Sequence, residues 1–263
     1  MTVALAFMAV SFQAPIVAVD MRASEHLRYG AAGYGRPGTT LILREAFAAL
    51  HNSETKAPLW VAYRLNPAYS VNIVPRAGTS AWKPEPLIPP GFRAELSDYA
   101  GTGFDRGHMA PAEDMRRSQA VQLDSFHLSN SVPQNRSNNS GPWNSLESKA
   151  RTYGSTTDLI IISGPIYDPP GPDGTVSLPL TKPGGIPVPS RLFKIVVRER
   201  PNGVPEVLAF IMNNAPIPSF QARNHLVAVR DIEAATGLNF LNALSPAVQN
   251  QIETQPAPAL WSN

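Results

Sequence analysis

The side chains in this sequence that could do chemistry concentrate between Gly103 and Arg151. Asp105-Arg106-Gly107-His108 is followed by Asn130, Pro133-Gln134, Asn139, Trp143 and Glu147. Histidine is the side chain whose ordinary pKa lets it take a proton near neutral pH. A loop position beside Gly107 would leave the His108 ring accessible. A lone histidine is more often a half-buried structural residue, so the argument rests on its company. The Arg106 guanidinium is a planar fork that fits a pair of phosphate oxygens, and Asn139 with Glu147 supplies oxygen ligands suited to a hard cation such as Mg²⁺. These residue types fit phosphoryl chemistry better than acyl transfer. The sequence has no Gly-x-Ser-x-Gly elbow, no His-Glu-x-x-His helix, no Walker loop and no Gly-x-Gly-x-x-Gly, which removes most common hydrolase and nucleotide-binding readings.

Taken together, Gly103-Phe-Asp-Arg-Gly-His-Met-Ala-Pro111, Ser125-Phe-His-Leu-Ser-Asn130, Pro133-Gln134 and Asn139-x-Gly-x-Trp-x-x-Leu-Glu147 resemble the non-specific DNA/RNA endonucleases with a ββα-metal site. That family includes mitochondrial endonuclease G and secreted bacterial nucleases. Flanking resemblance extends the match from about residue 24 to residue 245. It implies an α+β chain with the ββα-metal (His-Me finger) nuclease fold: a central, mainly antiparallel sheet flanked by helices, in one domain over residues 24–263.

The resemblance also assigns roles. His108 would be the general base that takes a proton from the attacking water. Asn139 would be the only protein group directly on Mg²⁺, with Mn²⁺ as an alternative, and Glu147 would hold water on the metal. The bland reading of Glu147 is an exposed pair with Arg151 one helical turn on, worth only ~0.3–0.5 kcal/mol. Arg106, Arg151 and Arg76 would grip phosphate. Asn130 and Gln134 would brace the loop carrying Asn139, and Asp105 would orient its turn or Arg106. Glu113-Asp114, just before Arg116-Arg117, reads as a solvated helix start, and His127 as a side chain packed beside Phe126. The implied partners are DNA and RNA, cut internally with weak sequence preference because phosphate contacts carry no base information. A homodimer and an inhibitor protein are further partners to consider. Two other readings stay open: a nucleic-acid-binding or partner-restrained toxin-like module, and a metal phosphodiesterase for small nucleotides.

These groups need a scaffold to position them. Leu41–Leu50 reads as a strand or short helix, Leu59–Leu65 as a strand by alternation, and Asn66–Gly103 as a proline-rich loop. Met115–Leu123 reads as a helix and Ser125–Ser129 as a short strand. Gly141-Pro142 suggests a helix start, with Trp143, Leu146 and Ala150 on its buried face. Asp158–Ser163, Leu192–Val197 and Val207–Met212 read as central strands, with a Pro/Gly-dense loop over residues 168–189. Asp231 and Gly237 would bound one late helix, and Ser245-Pro246 would open another.

Composition sets the outer limits. At 43% hydrophobic content, 263 residues can build a sizeable core. A balance of 22 Lys+Arg against 20 Asp+Glu leaves a net charge of +2, so an anionic polymer must be held locally rather than by bulk charge. The absence of cysteine excludes disulfides, thiolate metal sites and a cysteine nucleophile. Twenty-seven prolines are about twice the usual ~5% usage and imply long, stiffened loops. Residues 1–23 form an arm that is apolar from Met1 to Val19 except for Thr2, Ser11, Gln13 and Pro15, with no Lys or Arg before the apolar run, which reads as an incomplete export signal and gives the expectation of a secreted or periplasmic protein. Gln13 and Pro15 interrupt the run, so no stable membrane association is expected, since a span needs about 20 apolar residues.

Overall fold

Leu159-Ile-Ile-Ile162 is apolar at every position because its strand is covered on both faces. The computed structural model, which describes residues 24–168, 179–200 and 203–262, places this strand in the middle of a seven-stranded sheet. In chain order the elements are β1 (Thr39–Leu43), β2 (Ala48–Asn52), β3 (Ala57–Leu65), the one-turn helix α1 (Leu96–Tyr99), β4 (Asp105–His108), α2 (Gln119–Asp124), β5 (Ser131–Gln134), the short α3 (Arg136–Asn138), α4 (Asn144–Gly154), β6 (Leu159–Ile166), β7 (Arg191–Arg198), β8 (Glu206–Asn213), the short β9 (Leu226–Val227), α5 (Val229–Thr236) and α6 (Pro246–Glu253). The large sheet runs β1-β2-β3-β6-β7-β8-β9, with every neighbouring pair antiparallel. β4 and β5 form a separate antiparallel ribbon. With helices packed against the large sheet, this is the α+β architecture expected.

Strand alternation divides the core in two. Leu159, Ile161, Val196, Leu208 and Phe210 face one cluster, which includes Trp143, Leu146 and Ala150 from the helix after β5. Ile160, Ile162, Phe193, Ile195 and Val197 face the other, with Ile232 of α5 and Phe240. A smaller cluster joins Trp82 and Tyr99 to Phe126 and Leu128 beside the ribbon. Among the described residues, no helix is long and apolar enough to cross a membrane.

Local signals misplace several boundaries. Leu41–Leu50 is neither one strand nor a helix: β1 and β2 form a hairpin closed by Arg44 N–H donating to the Phe47 carbonyl. The long loop at 66–103 contains a 3₁₀ turn at Thr79–Ala81 and α1, and is pinned by buried Glu85. Glu85 accepts from Arg44 at 2.5 Å and from the Ser129 hydroxyl at 2.6 Å. Met115–Leu123 is not continuous. A 3₁₀ turn ends at Met115, and the Ser118 hydroxyl starts α2 afresh by accepting from Val121 N–H. Ser125–Ser129 contributes only the pairing of His127 with Lys83, because the chain turns through Leu128–Asn130 before β5. Asp231 caps α5 from inside its first turn, accepting from Ala228 N–H, while Gly237 and Ser245-Pro246 act as expected.

The helix after β5 starts earlier than Gly141-Pro142 suggests. Asn135 accepts from Ser137 and Asn138 N–H and opens α3. Pro142 sits inside a π turn, Asn139–Trp143, that joins α3 to α4. A wider turn moves the carbonyl four residues back away from the proline ring, which an α turn would bring into clash. The expectations for residues 1–23, and those for the part of the proline-rich loop at 169–178, lie outside the described residues.

Ile161 is wholly buried in the central strand. Its replacement by alanine is expected to lower unfolding free energy by about 2–5 kcal/mol, measured by urea titration; a loss below about 1 kcal/mol would contradict this packing.

Candidate active site

β4 and β5 pair Asp105 with Gln134, Arg106 with Pro133, Gly107 with Val132 and His108 with Ser131. His108 therefore sits at the end of a strand rather than in a loop, and it is half-buried. Gly107 permits the pairing because a Cβ there would lie 2.0 Å from Gln134 Oε1. Gln134 uses that closeness to reach across the turn, donating from Nε2 to Asn138 Oδ1 at 2.8 Å, beside Asn139. Asn130 braces a different segment from the one expected. Its amide accepts from Ala110 N–H and donates to the Ala110 and Ser125 carbonyls, fixing the chain just after His108. Asp105 also differs from expectation. It accepts from Asn139 Nδ2 at 3.0 Å and from Arg136 Nε at 3.2 Å, so it orients Asn139 rather than Arg106.

These contacts bring His108, Asn139, Glu147 and Arg76 to the wall of one cavity of about 450 Å³, together with Glu113, Ser140 and Asn144. Arg106 and Arg151 are not among its lining residues. Arg106 lies over the Trp82 ring at 5.7 Å. Arg151 donates from Nε to Asp114 Oδ1 at 2.6 Å, so its partner is not Glu147. Asp114 is no solvated helix start: it is 3% exposed and also accepts from the Tyr63 hydroxyl. Glu113 pairs with Arg116. His127 is tied to the Asp124 carbonyl, His26 and His51 bond backbone carbonyls, and none of the three lines the cavity.

Burial dominates the electrostatics. The Glu147 carboxyl is pushed up to about 7 by burial, with Lys194 pulling it back. Lys194 is wholly buried in β7 and is lowered to about 8 by burial, opposed by Glu147 and Asp114. Its ammonium donates to the Ser163 hydroxyl at 2.7 Å and lies 4.4 Å from the Trp143 ring centre. Burial likewise raises Asp114, against the pull of Arg151 and Tyr63. His108 is lowered to about 3 by burial, then by the positive charges of Arg76 and Arg106, so the imidazole of the free protein is neutral near pH 7. Its Nε2 is buried without a hydrogen-bond partner among the described residues.

A divalent cation fits the donor set. Asn139 spends its amide nitrogen on Asp105, which turns the amide oxygen away from that carboxylate. Glu147 adds a second oxygen donor on the same cavity wall. Among the described residues, no group of three His, Asp or Glu side chains is arranged to hold a metal, so a cation here would keep most of its shell for water and substrate oxygens, as Mg²⁺ does. Sequence reasoning overlooked Trp82, Asp114 and Lys194. The first and last lie far along the chain from His108 and Glu147, and no spacing links them. Asp114 was masked by the charged residues beside it.

The sequence pattern of the DNA/RNA non-specific endonucleases matches residues 22–247. The chain is 36% identical over 205 residues to the mitochondrial nuclease EXOG of Danio rerio, a match covering 74% of this chain and 58% of that protein. It is 32% identical over 216 residues to the mitochondrial endonuclease G of Homo sapiens, covering 80% of this chain and 72% of that one. Both relatives are mitochondrial by name, which gives the expectation of export no specific support. A solved complex of EndoG with EndoGI superimposes with a TM-score of 0.75 at 25% identity, covering 85% of this chain and 93% of that one, and its fold is the ββα-metal fold. The motif around His108 and Asn139, the ribbon and helix that carry it, and the match across most of the chain agree: this protein belongs to the DNA/RNA non-specific endonuclease family.

Proposed function

We propose that the chain hydrolyses internal phosphodiester bonds in DNA and RNA, with His108 as general base and with a Mg²⁺ or Mn²⁺ ion held by the Asn139 amide oxygen and, through water, by Glu147. The observation that carries this reading is the convergence of His108, Asn139, Glu147 and Arg76 on one polar cavity. When bound, the cation supplies positive charge to the scissile phosphate and to the departing 3′-oxygen. The chain's own residues do the rest.

Arg76 sits exposed at the rim, with most of its guanidinium donors available to phosphate oxygens. The field of Arg106 reaches His108 as well. Those two charges hold His108 neutral before substrate arrives, ready to accept a proton. A bound phosphodiester offsets both, so the basicity of His108 rises as the attacking water comes into place. Asp105 fixes the face that Asn139 presents, and Glu147 offers a carboxylate on the same wall. Phosphate contacts of this kind do not read base identity, which supports action on both nucleic acids. The net charge of +2 limits affinity to local contacts and favours release of the cut strand.

His108→Ala is expected to lower turnover by about 10²–10⁴-fold while nucleic-acid binding persists; nicking of supercoiled plasmid and a gel-shift titration check the two halves, and near wild-type nicking rejects the assignment. Asn139→Ala should raise the Mg²⁺ concentration needed for half-maximal cleavage at least tenfold, a loss of about 1.4 kcal/mol in metal binding; an unchanged Mg²⁺ titration, with EDTA as the zero point, means the ligand lies elsewhere. The raised Glu147 carboxyl loses its charge as pH falls through about 7, whereas His108 stays neutral down to about 3. Without saturating metal, the acid limb of kcat/KM, which reports the free enzyme, should therefore fall near pH 7 and be absent from the residual activity of Glu147→Gln. An acid limb unmoved by that substitution would assign it to another group.

A further inference from the structure

A general-base imidazole is ordinarily held in place by a hydrogen bond from its second nitrogen to a carboxylate or carbonyl. His108 has no such bond: its Nε2 is buried and unpartnered among the described residues. Rings surround it instead. The Trp82 ring centre lies 4.4 Å from that of His108, tilted by 41°. Phe126 meets the imidazole edge-on at 5.0 Å and 90°. Trp82 and Phe126 contact each other at 5.2 Å, so the three rings form a closed set. Both aromatic residues are buried, at 6% and 1% exposure, and neither lines the cavity.

The two jaws are fastened to each other through the backbone. Lys83 N–H donates to the Phe126 carbonyl at 3.1 Å and Leu128 N–H to the Lys83 carbonyl at 2.9 Å, the parallel bridge of Lys83 with His127. The Trp82 and Phe126 segments are therefore held side by side. The outer faces are covered as well: Arg106 lies 5.7 Å from the Trp82 ring and Arg76 5.7 Å from the Phe126 ring. The two cations whose fields reach His108 are thus stacked on the two rings that touch it.

We propose that Trp82 and Phe126 are positioning residues for His108, an aromatic clamp that replaces the usual hydrogen-bonded orienter and couples the base to Arg106 and Arg76, the cations that lie over the two rings. The inference rests on His108 acting as the base. Ring contacts fix the plane of the imidazole while leaving Nδ1 as the nitrogen that can exchange a proton with the cavity. A hydrogen-bonded orienter would fix both the plane and the tautomer; the clamp fixes the plane, and the base acts from Nδ1 in the tautomer that carries its proton on Nε2.

The test is steady-state cleavage of a DNA duplex at saturating Mg²⁺ by Trp82→Leu, Trp82→Phe, Phe126→Leu and, as a packing control from the same cluster, Leu128→Ala, each corrected for the folded fraction by circular dichroism. Trp82→Leu and Phe126→Leu are expected to lower kcat about ten- to hundredfold, the usual effect of misplacing a reacting group, with KM nearly unchanged. Trp82→Phe, which keeps an aromatic face, should recover most of the loss. Leu128→Ala should lose stability yet keep its kcat. If Trp82→Leu does not fold, Phe126→Leu and the Trp82→Phe comparison decide. The clamp is overturned if the leucine variants keep kcat within about twofold, or if Leu128→Ala loses kcat as they do. Should His108→Ala itself retain activity, the reading of the base fails, and that outcome is separate from the clamp variants.

Discussion

Two buried carboxyls, a buried ammonium and a half-buried guanidinium lie together where the large sheet meets the helix that borders the cavity. Asp114 and Glu147 can be kept there only because Arg151 and Lys194 are kept there too. Removing a single member of such a group leaves an uncompensated charge, which is far more costly than exchanging the whole group for apolar residues. The arrangement thus works as a positional constraint: β7, α4 and the turn carrying Asp114 must sit where their charges balance. Trp143 extends it to the ribbon. One face of its indole covers the Lys194 ammonium, while its N–H points to the His108 carbonyl at 3.4 Å. Trp143 thereby ties the buried ammonium of the sheet to the strand that carries the base.

Much of this could be read in the sequence, for reasons that differ by element. The central strands announce themselves because they are buried on both faces, and a short apolar run bounded by turn residues fits few positions outside a covered sheet. His108, Asn139 and Glu147 could be singled out because their types and spacing form a chemical pattern, and the fold brings them to one cavity. Less accessible were the residues whose role is set by a distant partner. Asp114 looks solvated beside two arginines, and only its contact with Tyr63 and Arg151 reveals a buried group. Arg151 sits on the right helix for a phosphate contact, yet its guanidinium is directed to Asp114. Lys194 is the one charge between Leu192 and Val197 in a strand that begins and ends on arginine, and nothing local distinguishes it from an edge lysine. Trp82 lies in a loop without periodicity, so its contact with His108 is set entirely by tertiary packing.

Local chemistry also misled where two signals competed. Gly141-Pro142 satisfies the ordinary rule for a helix start, but Asn135 offers a better cap six residues earlier, and the chain takes it. Asp105 could have served its neighbour Arg106; in an antiparallel ribbon, though, adjacent side chains point to opposite faces, and the carboxylate meets Asn139 and Arg136 instead. In both cases the next larger scale of structure decides.

The π turn that absorbs Pro142 has a geometric effect of its own. Residues of a regular α-helix advance by about 100° each, so the eight steps from Asn139 to Glu147 would leave the two side chains about 80° apart around the axis. A π turn holds one residue more than the α turns on either side. Discounting it leaves seven regular steps, about 700°, which falls only some 20° short of two complete revolutions. The extra residue therefore acts as a phase correction, bringing the amide and the carboxylate onto one line along the helix, a little under two turns apart, both facing the cavity.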